Sequence, residues 1–325
     1  MMELTPLIMS PVFAEKPWGG RRLADYGKGL PVGTRIGESW EVADLPADAV
    51  VTVSDPRSRV AAGPLAGQSL RELIATFGED FLGRAQPTPE GDFPLLIKLI
   101  DAREHLSVQV HPDREYVAGH PEARLKTESW YVVAADPGAH LYLGLRPGIT
   151  TSVMATRVGT AGVIGLLDIV PAEVGDFHHL PAGLVHALGA GVMVAEVQTP
   201  SDTTFRIYDW EDRYDRPNRT MHAAAALDAI RPELTSDFVA GADEPGSRTL
   251  PAGDAYWIRE HRSEGGALPI DPEPDIRVIM VVAGSALVDG REAYQGTTLV
   301  LPAAVVPGTS IAAGAGAVVL EIGLS

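Results

Sequence analysis

One twelve-residue segment constrains the fold of this 325-residue chain more than any other: Gly175-Asp176-Phe177-His178-His179-Leu180-Pro181-Ala182-Gly183-Leu184-Val185-His186. A glycine, a proline, a second glycine and a histidine stand at fixed offsets within it. Gly175 can turn the chain into a strand, and Pro181 and Gly183 can form a tight turn before the next strand. His186 then begins that strand with its imidazole free to meet a metal. Upstream lie Ser107-Val108-Gln109-Val110-His111-Pro112 and Lys126-Thr127-Glu128. Together the three segments offer three or four ligands for one divalent ion.

The composition narrows the chemistry. The chain contains no cysteine, which excludes disulfides, thiolate nucleophiles and thiolate ligands. A metal must then be held by His, Glu, Asp, Gln or Asn, which favours Zn, Mn, Fe, Co or Ni over an iron–sulfur cluster. The net charge of −17 opposes binding to nucleic acid or anionic lipid. An anionic small substrate would need a local basic pocket. Lysine occurs only at Lys16, Lys28, Lys98 and Lys126, three of which fall in the motifs below. No apolar run approaches the roughly 18 residues of a membrane helix, and the first residues do not read as a signal peptide. A cytoplasmic protein is expected.

Glycine and proline are plentiful, at 34 and 26 residues, and short β-rich runs recur between them. Strands are expected near 40–42, 50–53, 95–100, 106–110, 130–134, 192–198, 205–208, 277–282, 286–288, 297–301 and 317–322. That pattern points to a sandwich or barrel. A helix is expected over 69–77, with Ser69 and Glu72 forming a capping box. One or two short helices are expected within 150–167 and a helical turn at 114–117. The stretch 230–246 reads as a linker or crossover, followed by a second strand-rich block that lacks the metal set.

In a strand over 106–111, Ser107, Gln109 and His111 share one face, and Leu106, Val108 and Val110 the other. The same alternation aligns Lys126, Glu128 and Trp130, then Val194, Glu196 and Gln198, and finally Arg206 and Tyr208 with Phe205 and Ile207 opposite. Burying such groups without partners costs roughly 1–3 kcal/mol each, and a metal ion would satisfy them. The candidate ligands are Gln109, His111, Glu128 and His186, a set suited to zinc. Gln109 is the weakest member, because amides are poor zinc ligands, and its role could be to orient a water. Each residue taken alone is more often an ordinary satisfied polar group.

The spacing G-x5-P-x-G-x2-H resembles the second signature of the cupin β-barrel. The chain as a whole resembles the type I phosphomannose isomerases of the short bacterial kind. The matching segments are Lys16-Pro17-Trp18-Gly19-Gly20, Gly37-Glu38-Ser39-Trp40-Glu41, Pro94-Leu95-Leu96-Ile97-Lys98-Leu99-Ile100 and Leu106-Ser107-Val108-Gln109-Val110-His111-Pro112-Asp113. They continue with Lys126-Thr127-Glu128-Ser129-Trp130-Tyr131, residues 175–188 and the run from Glu196 to Asp209. His178 and His179 depart from the pattern, where aromatic or aliphatic residues are expected, and are read as structural. Asp113 is read as a turn or helix cap.

The resemblance implies a mainly β fold of tandem cupin-type (jelly-roll) β-barrels with a small helical insertion. The expected division is a metal-binding catalytic domain at 1–232 and a non-catalytic cupin-like domain at 233–325. It implies interconversion of mannose 6-phosphate and fructose 6-phosphate through a cis-enediol, with one zinc ion per chain or another divalent metal in its place. By the same resemblance Gln109, His111, Glu128 and His186 hold the metal. Arg206 acts on the enediolate or the phosphate, Glu196 and Lys126 serve proton transfer, and Lys98 and Ser107 contact the phosphate. Trp18 is a pocket wall or a core residue. Glu196 could instead be a salt-bridge partner of Arg206, and the base could be Glu196, Lys126 or a water on the metal. The expected partner is a sugar phosphate, with no nucleic acid and no membrane, in a monomer or homodimer. Competing readings are another metal-dependent cupin enzyme such as a dioxygenase, a non-catalytic sugar-binding cupin, and an isomerase of an unphosphorylated sugar.

Overall fold

A computed structural model describes residues 3–46, 53–217 and 219–325; residues 50–52 of the strand expected at 50–53 lie outside them. The first part of the chain forms β1 (Leu7–Ser10), β2 (Val12–Gly20), β3 (Ile36–Val42), β4 (Arg59–Val60), β5 (Leu96–Ala102), β6 (Val108–Val110) and β7 (Glu128–Ala135). It continues with β8 (His140–Leu145), β9 (Leu167–Pro171), β10 (Phe177–Leu180), β11 (His186–Leu188), β12 (Val192–Gln198), β13 (Phe205–Tyr208) and β14 (Asp237–Val239). The rest forms β15 (Gly246–Leu250), β16 (Tyr256–Arg262), β17 (Gly266–Ala267), β18 (Arg277–Ala283), β19 (Ser285–Val288), β20 (Arg291–Tyr294), β21 (Thr298–Leu301), β22 (Ile311–Ala313) and β23 (Val318–Leu324). The helices are α1 (Leu70–Phe77), α2 (Glu79–Leu82), α3 (Arg114–Gly119), α4 (Thr151–Ala155) and α5 (Ala223–Ala229), with a 3-10 segment at Ala161–Leu166.

These strands make four sheets, ordered β14-β10-β7-β12-β5-β2-β3, β13-β6-β11-β8-β9, β15-β16-β23-β18-β21-β1-β4 and β17-β22-β19-β20. Apolar clusters show how the sheets stack. Ile100, Trp130, Val132 and Val194 of the first sheet pack on Leu141, Leu143 and Leu188 of the second. Ile279, Val281, Leu299 and Val319 of the third pack on Ala286, Val288, Ile311 and Ala313 of the fourth. The two seven-stranded sheets also press on each other. Ile97, Leu99, Met193, Ala195 and Val197 meet Ile258, Val278, Met280, Leu320 and Ile322 across a shared core. The molecule is therefore a tandem β-sandwich in which the two large sheets are buried on both faces.

Strand pairing crosses the boundary expected at 232/233 in both directions. β1 joins the third sheet, with Leu7 opposite Val300. β14, inside the stretch expected to be a linker, joins the first sheet, with Phe238 opposite His178. A few residues of extended chain at a sheet edge carry little hydrophobic alternation, so neither exchange had a sequence signal. β16 was missed as well, because its residues Tyr-Trp-Ile-Arg-Glu-His-Arg bury charges rather than an apolar stripe.

The helical expectations rest on local chemistry, and the structure realises them. At α1 the Ser69 side chain accepts from the Glu72 backbone N–H, and the Glu72 carboxylate accepts from Ser69 N at 2.7 Å. Asp113 caps α3, accepting from Tyr116 N at 2.8 Å. α4 and α5 cover the outer face of the second sheet, where Met154, Ala226 and Ala229 pack on Val108, Val110 and Ala187. No helix among the described residues is long and apolar enough to cross a membrane. Ser69→Ala removes the side-chain acceptor of the α1 cap, leaving only the backbone N–H of residue 69 on the Glu72 carboxylate, and should cost about 1 kcal/mol of stability; an unchanged urea midpoint would show that the serine hydroxyl does not hold the helix.

Candidate metal centre

The turn after β10 closes as its composition requires. Leu184 N donates to Pro181 O at 3.1 Å, and Gly183 sits between them at φ +94°. That left-handed conformation is open to glycine and strained for other residues. Gly183 N donates to His111 O at 2.9 Å, so the turn is stitched to the end of β6. His186 then pairs with Gln109, and Gln109 pairs on its other side with Arg206. Directly opposed residues of neighbouring strands face the same way, so β13, β6 and β11 present Arg206, Gln109 and His186 in one row.

The facing sheet presents a second row. Glu196 of β12 stands opposite Trp130 of β7 and Lys98 of β5, and Lys98 stands opposite Trp40 of β3. One rung along, Gln198 stands opposite Glu128.

Between the rows, His111, Glu128 and His186 offer ligand atoms that all lie within 4.8 Å of one another, and all three residues are buried. His186 Nε2 is 3.1 Å from Glu128 Oε1, and His111 Nε2 is 3.4 Å from Glu128 Oε2. Each imidazole donates its Nδ1–H to a backbone carbonyl, His111 to Thr203 and His186 to Leu184, both at 2.9 Å. Those bonds fix the tautomer and aim both Nε2 lone pairs into the gap. Burial and the Lys126 ammonium push His111 down to about 3, so the ring is neutral. Burial alone would raise Glu128, yet Lys126, His111 and His186 hold it well below the usual carboxylate range. Neither Glu128 oxygen has a hydrogen-bond partner by strict geometry. Gln109 Nε2 lies 3.3 Å from His186 Nε2, and Gln109 Oε1 accepts from Ser107 Oγ at 3.2 Å. Two imidazoles, an ionised carboxylate and an amide form a donor set that fits a borderline divalent cation.

Gln109 lines a cleft of about 550 Å³, together with Trp18, Lys98, Ser107, Lys126 and Arg206 among others. Lys126 Nζ is 2.9 Å from Glu128 Oε2 and donates to His111 Nε2 at 3.0 Å. Lys98 Nζ is 3.2 Å from Glu196 Oε1 and 3.7 Å from Glu38 Oε2. Burial favours the neutral amine at Lys98, but Glu196 and Glu38 outweigh it and hold the group above the ordinary lysine range. Glu196 is raised, by burial first and then by Glu128, and its Oε2 accepts from Trp130 Nε1 at 2.9 Å. Arg206 is lowered by burial and Arg219 to about 10, and stays charged near neutrality. Trp18 is 2% exposed and serves both the core and the cleft wall.

One sequence expectation needs correction. Glu196 is not the ion-pair partner of Arg206: its cation is Lys98, while the carboxylate nearest Arg206 is Asp209 at 3.9 Å. Nor do β12 and β13 neighbour each other, since they belong to different sheets; the ten-residue spacing between Glu196 and Arg206 hid a crossing of the sandwich. His178 and His179 lie away from the donors. His178 stacks on Phe238 at 4.9 Å, and His179 Nδ1 meets Ser129 Oγ at 2.9 Å.

The structure also adds residues. Glu38 lies on the cleft wall, 3.0 Å from Lys16 Nζ, and accepts from Trp40 Nε1 at 2.7 Å. Burial would raise it, but Lys16 and Lys98 take it down to about 2. Its signal was its place in Gly37-Glu38-Ser39-Trp40-Glu41, two residues from Trp40 on the same strand face. Arg219 and His222 border the cleft beside Arg206, and nothing in their local sequence announced it.

Comparison with known proteins agrees with this geometry. The family model for phosphomannose isomerase type I, catalytic domain, matches residues 7–132. The chain is 32% identical over 312 residues to mannose-6-phosphate isomerase ManA of Bacillus subtilis, covering 93% of this chain and 94% of that one. It is 35% identical over 227 residues to mannose-6-phosphate isomerase of Streptococcus mutans, covering 69% of this chain and 67% of that one. The crystal structure of mannose 6-phosphate isomerase from Bacillus subtilis superposes with a TM-score of 0.79 at 27% identity, spanning 98% of this chain and 99% of that one. A buried His/Glu donor set beside a lysine-lined cleft, with 32% identity over 93% of the chain to one such relative, places the chain in the type I phosphomannose isomerase family.

Proposed function

We propose that this chain is a metal-dependent aldose–ketose isomerase interconverting mannose 6-phosphate and fructose 6-phosphate. The observation that carries this reading is one convergence. Three of the four lysines in the chain, Lys16, Lys98 and Lys126, line the cleft that Gln109 also lines, and Lys126 touches both Glu128 and His111. In a protein of net charge −17, that cleft brings these lysines together with Arg206 and Arg219, cations that an anionic sugar can meet. A dioxygenase or a passive sugar binder would not require this combination.

In this reading Gln109, His111, Glu128 and His186 hold the ion, and zinc suits the donors. Bound there, it would supply a Lewis-acid grip on the sugar's carbonyl and hydroxyl oxygens. Glu196 is the base. Burial and Glu128 raise it, which suits a carboxylate that must accept a proton from carbon near neutral pH and return it. It takes the proton from C2 of the open-chain aldose as the electron pair moves through C1–C2 to the carbonyl oxygen. It then delivers that proton to C1 while the hydroxyl proton on O2 passes, by way of Lys126, to O1 and the ketone forms at C2. Lys126 donates toward the oxygen that gains charge. Lys98 and Ser107 meet the phosphorylated end, and Trp18 walls the sugar. Arg206 remains cationic and faces the cleft from the opposite sheet, where it stabilises the enediolate.

The direct test is turnover of mannose 6-phosphate, read by coupled detection of fructose 6-phosphate, before chelation, after chelation and with zinc restored. Activity should vanish with the chelator and return with the metal. Absence of turnover with every divalent ion tried would remove the isomerase reading. His186→Ala should weaken metal binding by more than the roughly 10–100-fold expected for losing a ligand's own hydrogen-bond partner; chelator competition on the free chain measures it, and wild-type affinity would take His186 out of the ligand set. Arg206→Ala should keep that affinity while kcat falls about 100- to 1,000-fold; unchanged kcat would show that Arg206 does not face the reacting atoms.

A further inference from the structure

The faces of β7 and β12 that look away from the cleft carry a hydrogen-bonded chain that the isomerase chemistry leaves unexplained. Ser129 and Val197 are register partners, flanked by Glu196 opposite Trp130 and Gln198 opposite Glu128. Their neighbours Glu128 and Glu196 therefore point into the sandwich, while Ser129 points at the third sheet. From that sheet Tyr256, at the start of β16 and 1% exposed, places its hydroxyl 3.0 Å from Ser129 Oγ and 2.9 Å from Val197 O. On the far side of Ser129 Oγ stands His179 Nδ1 at 2.9 Å. One ordering gives every proton a partner. His179 Nδ1–H donates to Ser129 Oγ, Ser129 O–H donates to the Tyr256 oxygen, and Tyr256 O–H donates to Val197 O. His179 is lowered, chiefly by burial, consistent with the neutral ring this ordering needs.

We propose that Tyr256 is a positioning residue. Its hydroxyl ties β7 to β12 one residue away from both Glu128 and Glu196, and so sets the distance between the metal-binding carboxylate and the proton-transferring one. The inference rests on the roles assigned to those two carboxylates above. It also gives the third sheet a task in the chemistry, and His179, which departs from the family pattern, a place as the donor that starts the chain. A second tie lies two residues along β7, where Tyr131 donates to Glu260 of β16 at 2.7 Å and accepts from Arg262 at 2.9 Å. The ordinary packing duty of a buried tyrosine would be met by the ring alone. The phenol oxygen is what reaches both strands, and active-site geometry that loosens by a fraction of an ångström loses rate steeply.

The test is Tyr256→Phe, which keeps the ring and deletes the bridge, compared with wild type in the full chain. Three readouts are taken: zinc affinity by chelator competition, kcat and KM for mannose 6-phosphate, and the thermal midpoint. The expected result is kcat lower by about tenfold and zinc affinity weaker by a similar factor, with KM within about twofold of wild type. His179→Leu should shift kcat and zinc affinity in the same direction, and His179→Asn, which keeps a donor near the Nδ1 position, should restore most of the loss. Tyr256→Phe with wild-type zinc affinity and kcat overturns the proposal. So does a loss of kcat that disappears when activity is normalised to the folded fraction, because that is packing alone. If wild type itself does not turn over mannose 6-phosphate, the functional reading has failed, and the zinc affinities of the variants still decide whether Tyr256 positions Glu128.

Discussion

The strands β5, β7 and β12 have no face toward water: one side packs on β8 and β11, the other on β16, β18 and β23. In a strand buried on both sides every side chain must be apolar, small or paired. Alternation then divides the work. Ile97, Leu99, Met193, Ala195 and Val197 fill the core between the two large sheets. Lys98, Glu128 and Glu196 point the other way, into the first sandwich, and are 3% exposed or less. These charged groups are held by a layer that cannot shift without disturbing two hydrophobic cores, which suits chemistry that depends on fixed distances.

Burial on this scale forces the charges into partnerships. An isolated ammonium or carboxylate would neutralise rather than stay charged in such a place. Here the side chains alternate in sign along the wall, from Lys16 to Glu38 to Lys98 to Glu196, with Lys126 and Glu128 beside them. Two tryptophan indoles, Trp40 and Trp130, donate to Glu38 and Glu196 and fill the acceptor sites that water would otherwise take. The low position of Glu38 and the high positions of Lys98 and Glu196 are three consequences of one arrangement. In this wall Glu196 is the carboxylate whose balance tips toward the proton, because burial and then Glu128 raise it.

Local features were legible in the sequence because their partners are local. The Ser69–Glu72 box, the Asp113 cap and the Gly183 turn each close within four residues, through bonds or backbone angles the residue type dictates. The donor residues were legible as a set because metal-binding chemistry restricts residue type so strongly. Glu38 was less visible, since a single glutamate in a strand has no signature until Lys16 and Lys98 come near. The pairing of Glu196 with Lys98 rather than Arg206 depends on strand order, which spacing along the chain does not encode. His178 and His179 show the same limit: their neighbours Phe238 and Ser129 arrive from strands 60 and 50 residues away.

The sequence by itself determined a mainly β chain without thiol chemistry, its short capped helices and the residue types able to hold a divalent ion. Residue identity, alternation and turn stereochemistry act over a few positions, so they can be read without knowing the fold. Only the tertiary structure decided which sheet each strand joins. It sent β1 into the C-terminal sheet and β14 into the N-terminal one, set Arg206 across the sandwich from Glu196, and brought the Tyr256 hydroxyl against the back of the strands that carry Glu128 and Glu196. These choices follow from which buried faces can cover one another, a property of the whole chain that no short segment contains.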